Sequence, residues 1–120
     1  MLGSYTESAV DMLDFFERQR EWSYETFGPP EIRGPVGPLK HLEKEAKEAY
    51  QEQDLEKRKE EIIDCLFLSF DAAHRAGMGY SEISRIAMAK LKKNKGRKWP
   101  DWRDAKPEEA VEHDRSGEAK

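Results

Sequence analysis

Glu45 and Glu48, in the stretch EKEAKEAY, stand three residues apart, and Glu61 and Asp64 repeat that interval within EEIIDCLFLSFD. On a helix, acids at this spacing share a face one turn apart. Asp64 also interrupts a largely apolar run from Ile62 to Ser69, and aspartate is almost never fully buried without a partner. If the two segments are antiparallel helices, the two pairs can face each other. Carboxylates converging in a partly dry site repel one another, and they coexist only if their pKa values rise or a multivalent cation sits among them. All-oxygen ligation favours Mg2+ or Mn2+ over zinc or copper. The Glu-x-x-His that a di-iron bundle needs on two of its helices does not accompany these acids. The competing reading makes them solvated helix faces in weak pairs with lysines.

Near the other end, KLKKNKGRKWPDWR gathers Lys90, Lys92, Lys93, Lys95, Arg97, Lys98 and Arg103. Lys90 and Asn94 stand at i and i+4 on the stripe that carries Ile83 and Ala87, so both are expected to point inward. An ammonium and an amide there suit the phosphates of a nucleotide, and Arg97 could grip a terminal phosphate in a fork. The helix macrodipole alone accounts for some of these cations, Lys92, Lys93 and Lys95 among them. Trp99 and Trp102 could stack on nucleic-acid bases, but the basic run is short and the net charge of the chain is −4. In QREWSYETFG, Trp22 reads either as core or as a platform for a nucleobase, with Gln19 at the base edge. The three histidines, His41, His74 and His113, read as bystanders; a supporting role for His41, one turn before Glu45, is the lesser alternative.

Four helices must position these groups, and no strand is expected. The first opens at Ser4, with Glu7 at capping-box spacing, and runs to about Thr26. Glycines and prolines make residues 27–38 a loop, and Pro38 suits the first turn of the second helix. Asp54 is the expected N-cap of a third helix, which Gly77 and Gly79 end. Ser81 opens a fourth, closed by Gly96. The third helix is apolar nearly all round between Ile62 and Phe70, which makes it the buried central element of an all-α, four-helix bundle-like fold. The helical domain spans 1–103, and residues 104–120, poor in large apolar side chains, read as a disordered charged tail.

With 120 residues, 37% hydrophobic and 38% charged, the chain is one domain with a highly polar surface. The lone Cys65 fits a reduced, cytoplasmic setting. The N-terminus has no signal-peptide pattern, and the longest apolar run falls well short of the roughly 20 residues that span a bilayer. Neither a membrane nor nucleic acid is expected as a partner.

Glu-x-x-Glu at 45/48, twelve intervening residues and Glu-x-x-Asp at 61/64 together resemble the signature of MazG-like all-α nucleoside triphosphate pyrophosphohydrolases. FERQREWSYETFGP and AKLKKNKGRKWPDWR resemble the dATP/dGTP pyrophosphohydrolase branch, which includes the phage enzymes called MazZ. The likeness spans about residues 12–103. It implies Mg2+ (or Mn2+) held by Glu45, Glu48, Glu61 and Asp64, phosphates contacted by Lys90, Asn94 and Arg97, and cleavage between the α and β phosphates to a nucleoside monophosphate and pyrophosphate. One acid could serve instead as general base, with Glu45 favoured. It also implies a homodimer or homotetramer with sites near subunit interfaces, and in phages a role in purine dNTP pools within the host cytoplasm. The same chemistry on a pyrimidine or non-standard dNTP, or a non-catalytic helical interaction module, are the alternatives.

Overall fold

The computed structural model describes residues 2–116, with side chains from Met12 onward. The chain is all-helical: α1 (Leu2–Phe27), α2 (Val36–Gln51), α3 (Leu55–Arg75) and α4 (Tyr80–Lys95), then one 3-10 turn at Trp102–Asp104. There is no strand among the described residues, as the sequence led us to expect, and none of these helices is long and apolar enough to cross a membrane.

The punctuation residues act where their chemistry places them. Gly28 closes α1 with φ +98°, a conformation that a side chain would resist, and its N–H donates to the Tyr24 carbonyl at 3.1 Å. Pro38 stands in the first turn of α2, where no N–H is required. Asp54 caps α3 by accepting the Lys57 N–H at 2.9 Å, and Gly77, at φ +88°, follows its end. Two helix starts differ from expectation. The backbone is already helical at Leu2, while the Ser4 and Glu7 side chains lie outside the described residues. α4 begins at Tyr80, so Ser81 is its second residue and not its cap.

A link of only three residues joins α2 to α3 and forces them antiparallel. Arg58 secures the junction: its Nε donates to the Ala49 carbonyl at 3.1 Å, across the end of α2. α3 packs along α2 and against α1, which makes it the central helix of the three. Its contact with α1 is aromatic: Phe15 meets Phe67 at 5.0 Å, and Phe16, buried, meets Phe70 at 5.0 Å and His74 at 4.0 Å.

The apolar run of α3 is not enclosed, which corrects the sequence expectation. Ile62, Ile63 and Leu66 are 53%, 44% and 39% exposed, because α1 covers only the C-terminal half of the helix and α2 a single face. Asp64, in the uncovered stretch, is exposed as well.

The buried aspartate of α3 is Asp71. Its Oδ1 accepts from Ser23 Oγ at 2.6 Å and from Arg75 Nε at 3.1 Å. Arg75, its side chain 1% exposed, places its remaining donors on Ser23 Oγ and on the carbonyls of Ser23, Gly28 and Arg33, at 2.8 to 3.2 Å. All five guanidinium N–H groups are therefore satisfied. This one side chain ties the end of α3 to α1 and to the loop that launches α2.

The chain divides between Ile83 and Ser84 into two compact units. Within the second, the Gly96 N–H closes α4 on the Lys92 and Lys93 carbonyls, and Trp99 Nε1 donates to the Asn94 carbonyl at 2.7 Å. Trp99 also meets the His113 ring edge-on at 5.5 Å, and the Asp114 N–H reaches the Lys98 carbonyl at 2.9 Å.

Candidate metal and nucleotide site

The antiparallel pairing of α2 and α3 brings Glu45, Glu48 and Glu61 together, with one carboxylate oxygen of each within 4.8 Å of the others. Glu45 and Glu48 share a face of α2, and Glu61, two turns into α3, meets them because the tight link at 52–54 sets the register. Glu61 Oε2 is buried and has no hydrogen-bond partner. Burial, and next the charges of Glu48, Glu45, Glu52 and Asp64, raise its pKa above the ordinary 4.5. Among the described residues, no lysine or arginine forms an ion pair with these three acids. Acceptor-only oxygens this close, one of them orphaned, fit a hard divalent cation. Held by Glu45, Glu48 and Glu61, such an ion would supply positive charge able to neutralise anionic oxygens and to acidify a water. Asp64 stands outside this group, exposed, beside Glu60 and Ile63.

His41 supports the cluster from the next turn of α2, its Nε2 3.1 Å from Glu45 Oε1. It also lines a cavity of about 380 Å³ between the start of α2 and the end of α3, whose other walls include Phe27, Val36, Pro38, Leu68 and Asp71. Trp22 is 56% exposed and stands edge-on to Phe27, with centroids 5.4 Å apart. Gln19 is buried, and its Oε1 has no partner.

Lys90, Asn94 and Arg97 lie in the second unit. Lys90 is exposed, while Asn94 and Arg97 are half-buried, with Arg97 Nη1 donating to Asn94 Oδ1 at 3.0 Å. Asn94 thus spends its oxygen on Arg97, and its NH2 is the side suited to an anionic acceptor.

Sequence reasoning passed over Ser23, Asp71 and Arg75. The available signal was the Asp71–Arg75 pair one turn apart at the end of an apolar run, a spacing that solvated helix surfaces share.

Comparison with characterised proteins and with solved structures finds no match. The model of the dATP/dGTP pyrophosphohydrolase family matches residues 15–117, a span that holds all of α2, α3 and α4 together with the three converging glutamates. The chain belongs to the dATP/dGTP pyrophosphohydrolase family and is a nucleoside triphosphate diphosphatase.

Proposed function

We propose that the chain hydrolyses dGTP and dATP between the α and β phosphates, taking up one water and releasing the nucleoside monophosphate, pyrophosphate and a proton. Mg2+, replaceable by Mn2+, is held by Glu45, Glu48 and Glu61, and Asp64, one turn from Glu61, completes the ligand set. The observation that carries the reading is the convergence of three carboxylates, one with an orphaned buried oxygen, in a chain of this family. Lys90, Asn94 and Arg97 bind the phosphates, and Gln19 and Trp22 serve the base side of the site. His41 holds Glu45 in orientation through the 3.1 Å contact. The protein works in the cytoplasm, the host's if a phage encodes it, adjusting purine dNTP pools. It does so as a homodimer or homotetramer, a state supported by the apolar side chains left uncovered on α3.

Titration of the metal-free protein with Mn2+, followed by the ion's paramagnetic signal, tests the ligand set. The wild type should bind, and Glu48→Gln should lose at least tenfold in affinity. Unchanged affinity in that variant would remove Glu48 from the centre.

A further inference from the structure

We propose that Arg58 is a positioning residue of the metal centre: by binding the last carbonyls of α2 from α3, it holds Glu45 and Glu48 opposite Glu61 against the mutual repulsion of the three carboxylates. Its role rests on the centre proposed above and deepens it.

The last carbonyls of an α-helix lack partners further along the helix, and those of α2 belong to Glu48, Ala49, Tyr50 and Gln51. The cap N–H of Glu52 takes the first at 3.0 Å. Arg58 takes the next two: its Nε donates to the Ala49 carbonyl at 3.1 Å and its Nη2 to the Tyr50 carbonyl at 3.4 Å. Ala49 follows Glu48 directly and is 8% exposed, while Arg58 precedes Glu61 by one helical turn. The two bonds therefore join the helices one residue from one acid of the centre and one turn from another. The base from which Arg58 projects is itself held, since Asp54 accepts the Lys57 N–H on its side chain and the Arg58 N–H on its carbonyl, each at 2.9 Å.

The guanidinium neutralises none of the acids. Among the described residues it forms no ion pair, and its side-chain bonds go to backbone carbonyls alone. A cation paired with Glu48 or Glu61 would compete with a metal. One spent on carbonyls leaves the carboxylates free, yet keeps oxygens of all three within 4.8 Å of one another, a separation their repulsion would otherwise widen. The planar fork of Nε and Nη2 suits two successive carbonyls, whereas a lysine ammonium is a point charge. The two effects Arg58 can have on a metal are opposite in sign. As a positive charge near a dication it weakens binding, so its removal would tighten the site; as a clamp it strengthens binding, so its removal loosens the site.

Mn2+ binding to the metal-free protein, followed by the ion's paramagnetic signal, is compared in the wild type, Arg58→Met, Arg58→Lys and Phe15→Ala, with urea midpoints measured on the same samples. Arg58→Met should bind about tenfold more weakly, the scale on which the outer partners of a metal centre act. Arg58→Lys, which keeps the charge but not the fork, should lose about threefold, and it carries the test if the methionine variant fails to fold. Exchange of the Glu52 amide should be faster in metal-free Arg58→Met than in the wild type and slow again when Mg2+ is added. Phe15→Ala removes a ring contact between α1 and α3, so it should lower the urea midpoint and leave Mn2+ affinity unchanged, which separates position from stability. Affinity in the Arg58 variants equal to or above the wild type, or an equal loss in Phe15→Ala, overturns the proposal and leaves the centre standing. A wild type that binds no Mn2+ sinks the centre, and the role of Arg58 with it.

Discussion

Replacing Arg75 with methionine should damage the fold more than any surface change, and its cost can be worked from the contacts. The guanidinium is buried, pairs with Asp71 and satisfies the carbonyls of Ser23, Gly28 and Arg33. Methionine fills much of the volume but leaves Asp71 with Ser23 Oγ alone and the Gly28 and Arg33 carbonyls without their donor. Breaking one end of a buried ion pair costs about 3–5 kcal/mol, so Arg75→Met should lose about 4 kcal/mol of a total stability of roughly 5–15 kcal/mol. At about 4 °C per kcal/mol for a domain of this size, Tm falls by about 15 °C. Urea titration followed by circular dichroism at pH 7 gives the free energy. Pairing the change with Asp71→Leu removes the stranded charge and should recover part of the loss, the mark of an unpaired ion and not of lost packing. A loss below about 1 kcal/mol for Arg75→Met alone, the scale of a surface ion pair, would refute the buried network.

Three further outcomes follow from the same physics. The raised pKa of Glu61 means that its contribution to stability is complete below the ordinary 4.5 and is lost as pH rises through the folded value. Metal-free Glu61→Gln should therefore melt above the wild type at pH 7, while Mg2+ raises the wild-type Tm and leaves the variant's nearly unmoved; scanning fluorimetry with Mg2+ or EDTA decides, and equal metal responses would count against the centre. His74 has both ring nitrogens buried, and burial first, then the charge of Arg20, lowers its pKa below 6.5. Its stability contribution is then complete above pH 6.5 and lost as pH falls toward the folded value, so denaturation at a series of pH values should show His74→Phe losing less than the wild type below 6.5. Asp54→Ala, which removes the cap at Lys57, should cost about 1 kcal/mol in the same urea assay.

What could be read from the chain alone depended on whether local chemistry settled the matter. Asp54, Pro38 and Gly77 act through their own backbone neighbourhood, so their roles follow from residue type and order. The meeting of Glu45, Glu48 and Glu61 was legible because a three-residue link leaves α2 and α3 little choice but to pair antiparallel. Burial on α3 was not legible in the same way. An apolar run shows that something should cover it, not that a helix of the same chain does, and within this chain Ile62 and Leu66 remain uncovered. For that reason the partner sought for Asp64 belonged to Asp71, seven residues on, which is tied to Ser23 directly and to the 28–33 loop through Arg75; these ties cross about fifty residues of sequence and leave no local pattern.

The most direct test is phosphorus NMR of dGTP and dATP incubated with the protein and Mg2+, with EDTA and Glu48→Gln as controls. Metal-dependent appearance of pyrophosphate and the deoxynucleoside monophosphate in equal amounts, abolished by EDTA and by Glu48→Gln, is the result this account requires. Release of single phosphates, or undiminished pyrophosphate release by Glu48→Gln, would contradict it.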